Sequence, residues 1–238
     1  MNPESAAGKS KERSQAEAPV SRLGSLAVSV RSEWPRRRTS AARGPTRKGN
    51  SARHSLSKLR AQAADCRACD LWRHATQTAS NQEDRAGKPF VGTAGGLLEK
   101  VLDEAGIDRR DVYITNAVKH FKFESRGKQR IRKKPQFSEI AACRPWLLSE
   151  IEAVKPEVIV CLGAPAAMSL PGPAARVTRD RGKLMSSDLG APVMLTLHPA
   201  SILRAPDPGA REAALHLFRR DIGRISTLLK AKTSGSSG

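Results

Sequence analysis

Five consecutive apolar residues, Val158-Ile159-Val160-Cys161-Leu162, stop at Gly163. A strand points alternate side chains to opposite faces, so a run with no polar member is buried on both. Covering both faces of a sheet requires helices above and below it. Val193-Met194-Leu195-Thr196-Leu197 repeats the pattern and ends at His198-Pro199, and Val112-Tyr113-Ile114 is a shorter version that ends at an Asn-bearing turn, Thr115-Asn116. Strands alternating with helices predict a three-layer α/β/α fold around a short, central parallel sheet. Three convincing strands are few for such a sheet.

The intervening segments carry helical spacing. Leu56, Leu59 and Ala63 mark a helix over 56–69. Leu97, Leu98, Val101 and Leu102 mark one over 95–105, capped by Gly106. Ile140, Trp146, Leu147, Leu148 and Ile151 mark one over 137–154, punctuated by Pro156. Shorter or terminal helices are expected over 164–169 and 209–229. Residues 1–55 are rich in Ser, Ala, Arg, Gly and Pro and hold a single aromatic, Trp34. That composition buries too little apolar surface to offset the entropy of ordering, so a disordered basic tail is expected. The folded domain spans 56–231, and 232–238 is a flexible tail ending in Ser-Gly-Ser-Ser-Gly.

Lys and Arg total 42 against 23 Asp and Glu, giving a formal net charge of +19. Such an excess favours a polyanion, with nucleic acid ahead of an anionic membrane because no basic amphipathic helix stands out. No apolar run approaches the roughly 20 residues that span a bilayer. The N-terminus lacks an apolar signal core, and Glu4, Glu12 and Glu17 are foreign to a transit peptide. The expected protein is a monomer of the cytoplasm, associated with the nucleoid, with no membrane partner. Four cysteines in that compartment are ligands or buried thiols rather than disulfides.

Chemistry-bearing residues gather at strand ends, where open α/β sheets bind ligands. After Asn116 comes a loop carrying Lys119, Lys122, Arg126, Lys128, Arg130, Arg132, Lys133 and Lys134, and the next helix opens with Cys143. His198 ends another strand, placed to donate to charge developing on a leaving group. Phe90 sits in a Gly/Pro turn, and Asn116 offers one donor and one acceptor edge. Cys66-Arg67-Ala68-Cys69 is a C-x-x-C pair that suits a redox motif, half a zinc site or part of an iron–sulfur site. Cys161, inside an apolar strand, reads as a core residue, and His120 is the best-placed fourth donor by position.

As an ordered set these motifs resemble the uracil-DNA glycosylase superfamily, its iron–sulfur family 4, and within it most closely the UdgX uracil-DNA-binding branch. The motifs are Cys66-Arg-Ala-Cys69, Glu83-Asp84-Arg85-Ala86-Gly87-Lys88-Pro89-Phe90-Val91-Gly92, Thr115 to Phe123, Cys143-Arg144-Pro145-Trp146-Leu147 and His198-Pro199-Ala200-Ser201. The resemblance covers about residues 56–230. It implies a DNA repair enzyme that flips uracil out of the stack and hydrolyses its N-glycosidic bond. Phe90 would stack on the base, Asn116 would bond its edge, and His198 would stabilise the charge on departing uracil. Lys128, Arg130, Arg132, Lys133 and Lys134 would grip DNA. Cys66, Cys69 and Cys143 would hold a [4Fe–4S] cluster, with His120 in place of the usual fourth cysteine.

Two departures qualify the resemblance. The UdgX branch carries an Arg-Ile-His-Lys core whose histidine bonds covalently to deoxyribose, and this chain has Arg130-Ile131-Arg132-Lys133. A guanidinium stays protonated and cannot serve as that nucleophile. The family also has a first β-strand and a Gly-Glu-x-Pro-Gly turn that positions water. Here Ala75 to Gln82 joins the flanks directly. The first strand is therefore missing; Gln82, Glu83 and Asp84 remain near the join as substitutes for the lost turn, and Asp84 is the second catalytic candidate beside His198. A catalytically degenerate DNA-binding module is the alternative this gap raises.

Overall fold

The computed structural model describes residues 25–28, 56–74, 89–120, 122–126 and 129–235; for 25–28, 74, 125–126, 129–132 and 232–235 it describes the backbone path alone. In chain order the elements are β1 (Ser25–Val28), α1 (Leu56–Ala64), a 3-10 turn (Asp70–His74), α2 (Thr93–Glu104), β2 (Tyr113–Asn116), β3 (Phe123–Arg126) and β4 (Gln129–Arg132). These are followed by α3 (Phe137–Val154), β5 (Ile159–Leu162), α4 (Ala164–Ser169), α5 (Val177–Asp180), β6 (Leu184–Met185), β7 (Val193–Thr196), α6 (Pro199–Leu203) and α7 (Pro208–Gly235). No helix among the described residues is long and apolar enough to cross a membrane.

The main sheet has the order β2-β1-β5-β7-β6. Its centre forms for the reason the sequence suggests. All four residues of β5 and all four of β7 are buried, and the two strands pair in parallel from Ile159↔Val193 to Leu162↔Thr196. Alternate residues feed two cores. Val160, Leu162 and Met194 pack with Leu98, Val101, Phe218 and Ile222, under α2 and α7. Ile159, Cys161, Val193 and Leu195 pack with Leu147, Ile151, Ala166 and Ala167, under α3 and α4. That is the three-layer arrangement, with helices on both faces.

The sheet is mixed rather than purely parallel because of β6, which pairs antiparallel with β7 at the edge, and of β1 inside it. Ser25–Val28 lies between β2 and β5 and runs antiparallel to both, with Ser25 opposite Asn116 on one side and Leu162 on the other. The slot expected to be vacant for lack of a first strand is thus filled by four residues of the segment expected to be a structureless tail. Two open ladder edges face that slot, and an unpaired edge inside a sheet strands buried backbone groups. Any short, small-to-apolar segment able to reach them gains a ladder on each side.

Four details also differ. The basic segment is a β-hairpin, with Phe123 opposite Arg132 and Arg126 opposite Gln129, rather than a loop. Thr115 and Asn116 belong to β2 instead of a turn. The first helix ends at Ala64, so Cys66 and Cys69 lie beyond it, while Cys143 sits in the second turn of α3 rather than at its start. That start is fixed by a capping box in which Gln136 and Glu139 satisfy each other's backbone donors.

Candidate active site

β7 delivers His198 to the sheet's C-terminal edge, and His198 caps α6. Its Nδ1 accepts the Ala200 backbone N–H at 3.0 Å. A nitrogen that accepts cannot carry the proton, so the neutral ring holds it on Nε2. The carbonyl of His198 in turn accepts from the Ser201 hydroxyl at 2.6 Å and the Ser201 N–H at 2.8 Å. The ring is only 2% exposed, and its centroid lies 5.4 Å from that of Phe90 at a 30° tilt.

Phe90 has φ 63°, the left-handed region that non-glycine residues avoid. Strain of this kind is of order 1–3 kcal/mol. Gly95, in the first turn of α2, makes it sterically possible: a Cβ there would lie 1.7 Å from the Phe90 carbonyl oxygen. The glycine lets the α2 backbone close on Phe90, and the turn aims the ring at His198.

Phe90 and Asn116 line one cavity of about 790 Å³, together with Val112, Tyr113–Thr115 of β2, residues of α1 and α2, Lys119 and Glu150. Phe90 is therefore the residue that joins the two others, touching His198 on one side and sharing a cavity with Asn116 on the other. The Asn116 carbonyl accepts from Lys119 Nζ at 2.9 Å.

Lys119 and Lys122 do not belong to the DNA-facing set. Lys119 Nζ reaches Glu150 at 2.6 Å and the Thr115 hydroxyl at 2.9 Å, with 10% of the side chain exposed. Burial pulls its ammonium below the ordinary lysine range, although Glu150 opposes the shift. Lys122 pairs with Glu139 at 2.9 Å. These pairs hold the exit of β2 to α3. Next to them, burial and the Glu150 charge push the Tyr113 phenol up, its hydroxyl finds no hydrogen-bond partner among the described residues, and Arg60 lies 5.3 Å over its ring. Of the remaining DNA candidates, Lys134 is exposed and Lys133 pairs with Glu124 at 2.8 Å across the hairpin base. Arg130 and Arg132 alternate along β4 as backbone positions, and Lys128 and Asp84 lie outside the described residues.

Of the candidate metal ligands, the structure relates Cys143 to Cys66 and Cys69 and ties His120 to the end of α1. Cys143 is buried in α3, which raises its thiol; the backbone N–H of Lys119 bonds it, and it lies near enough to Cys69 and Cys66 to respond to their charges. His120, 3% exposed, sets Nε2 3.1 Å from the Ala64 carbonyl. A histidine whose one nitrogen donates to a carbonyl leaves the other free to ligate. Among the described residues no three His, Cys, Asp or Glu side chains stand at metal-holding spacing. The donor types alone, three thiols and an imidazole, are those an iron–sulfur centre uses. Cys161 is a core thiol, fully buried and pushed up by burial.

Sequence reasoning missed Glu150, Thr196 and Asp221, three polar side chains turned inward. The signal was present for two of them. Glu150 follows Cys143 and Leu147 on the buried stripe of α3, and Asp221 stands among Phe218, Ile222 and Ile225 on that of α7.

A family-level sequence model described as the uracil DNA glycosylase superfamily matches residues 76–222. The chain belongs to that superfamily. It is 38% identical over 150 residues to a type-4 uracil-DNA glycosylase of Thermotoga maritima, covering 63% of this chain and 72% of that protein. A type-4 uracil-DNA glycosylase of Archaeoglobus fulgidus is 32% identical over 178 residues, covering 64% of this chain and 85% of that protein. A third, from Pyrobaculum aerophilum, is 39% identical over 131 residues, 52% of this chain and 63% of that protein. The 178-residue alignment draws on only 64% of a 238-residue chain, so that relative carries a stretch with no counterpart here. Such a stretch accords with the direct join at Ala75–Gln82.

Proposed function

We propose that this chain is a DNA repair protein that binds uracil-containing DNA and releases uracil by hydrolysing its N-glycosidic bond. The observation that carries the reading is the Phe90 ring held against His198 with Asn116 on the same cavity. A base extruded from the stack needs an aromatic face, a polar edge reader and a donor for the charge it takes away. Phe90 supplies the first and the Asn116 amide the second. The Nε2 proton of His198 would be the third, donating to the uracil oxygen on which charge develops as the bond to C1′ breaks. The missing Gly-Glu-x-Pro-Gly turn leaves water positioning to Asp84, one of the two adjacent acids, Glu83 and Asp84, that follow the join. That gap also favours the alternative, a module that binds uracil-DNA without excising the base.

Cys66, Cys69, Cys143 and His120 would hold a [4Fe–4S] cluster that ties the end of α1 to the exit of β2 and to α3. The closest branch by motif is UdgX, but Arg132 stands where that branch has its nucleophilic histidine, so no covalent adduct is expected. The working protein is a monomer of the cytoplasm that acts at the nucleoid.

Incubation with a uracil-containing single strand, divided between alkali cleavage and a denaturing gel, tests the reading. Cleavage is expected, without a denaturant-stable shift. His198→Ala should slow uracil release by about 10²-fold while duplex binding holds, since one charge-stabilising donor is lost. Folded protein that binds uracil-DNA and leaves it intact makes the binding module the correct reading.

A further inference from the structure

We propose that Asp221, acting through Thr196, is a positioning residue for His198; the proposal rests on the functional reading above. Asp221 is fully buried in α7, and its Oδ2 accepts from the Thr196 hydroxyl at 2.7 Å and from Arg181 Nη2 at 2.7 Å. Thr196 is the last residue of β7, two before His198, and is itself wholly buried. Its carbonyl accepts the Gly163 N–H at 3.0 Å, which ties it to the end of β5. The strand end is thus fixed through its backbone on one side and through its hydroxyl on the other.

The surroundings are shaped to bring the carboxylate there. Gly182 has φ +71°, and a Cβ on it would lie 2.5 Å from Asp221 Oδ1. Its N–H donates to the Leu195 carbonyl at 2.8 Å, and its own carbonyl accepts from Arg224 Nη1 at 2.6 Å. Arg181 also bonds the Leu217 carbonyl at 2.8 Å. Even so, Asp221 Oδ1 and Arg181 Nε have no hydrogen-bond partner among the described residues. A buried ion pair with unsatisfied atoms is a poor source of stability, because the cost of removing both charges from water offsets their attraction. What this one supplies is a fixed address for the Thr196 hydroxyl. His198 spends its Nδ1 on the helix it caps, so the direction of its Nε2 proton follows wherever β7 ends and α6 begins. A misplacement of about 1 Å is enough to cost on the order of 10²-fold in rate.

Thr196→Val tests this without stranding a charge, since it is nearly isosteric and leaves Arg181 paired with Asp221. Thr196→Ser restores the hydroxyl, and Thr196→Ala serves if the valine variant does not fold. Each is assayed well below its melting midpoint, for kcat and KM on single-stranded uracil-DNA. The His198 ring is followed by NMR of protein labelled with ¹⁵N-histidine. The expected result is a kcat at least about tenfold lower with an unchanged KM in the hydroxyl-free variants. The Nε2–H resonance of His198 should shift or broaden, and the serine variant should recover both. A hydroxyl-free variant with wild-type kcat and an unmoved His198 resonance overturns the proposal. If wild-type protein releases no uracil, the functional reading fails by itself. The resonance alone then decides: a shift recovered by serine upholds the positioning role, and an unmoved signal ends it.

Discussion

At Gly95 and Phe90 two residues five apart determine one another. The left-handed backbone at Phe90 is tolerated because α2 presents no side chain where the Phe90 carbonyl arrives. Gly95→Ala forces a backbone atom to move, since a 1.7 Å approach cannot be relieved by a rotamer change. The expected outcome is a stability loss of about 1–3 kcal/mol, as for overpacked cores. Uracil release should fall at least about tenfold, because the ring would leave His198. A denaturant melt with a base-release assay checks both, and an alanine variant with normal release would show that the Phe90 turn is not the source of ring placement. Phe90 and His198 were legible in the sequence through motif and strand-end position. The left-handed turn was not, because φ 63° at a phenylalanine leaves no mark on the sequence around it. Lys119 was misplaced for a related reason. A lysine in a basic stretch looks solvated, and only the fold brings Glu150 to it.

At the scale of elements, β5 and β7 were readable because strands buried on both faces must be apolar throughout. The β3–β4 hairpin was not, since its strands carry charge without an apolar face to set the period. β1 was the least readable. Its pairing partners lie far away in sequence, at Tyr113–Asn116 and Ile159–Leu162, and Ser-Leu-Ala-Val alone signals no central strand. Its place in the sheet makes a sharp prediction. A proline in a central strand removes a ladder donor and clashes with the neighbouring backbone. Ala27→Pro should cost about 3 kcal/mol or more of stability in a denaturant titration. Amide exchange should accelerate in β2 and β5, the strands it separates. If instead Ala27→Pro melts like wild type with β2 and β5 equally protected, the sheet stands without β1 and the slot between them is closed some other way.

For the whole molecule the governing quantity is charge. Residues 1–55 hold twelve Lys and Arg against four Asp and Glu, so eight of the nineteen net charges precede the domain and the rest lie on it or after it. Both portions favour a polyanion, and the domain's charges belong to the part of the chain that carries the Phe90–Asn116 cavity. The hairpin springs from the same exit of β2 that bears Asn116, and its base carries Lys133 beside Glu124 and the exposed Lys134. The Lys133–Glu124 pair is half exposed, so it contributes little and opens readily for a phosphate. Lys134→Ala should weaken binding to uracil-containing and normal DNA alike and lower the slope of log K against log salt by about 1. Glu124→Gln should do the opposite, because it frees Lys133 and removes a negative charge from the hairpin base. Its binding should tighten and its salt slope should steepen, by about 1 at most. Fluorescence anisotropy across a salt series measures both. A Glu124→Gln protein with a weaker or unaltered slope would place the phosphate track away from the hairpin base, leaving Lys133 and Glu124 as a surface pair with no part in binding.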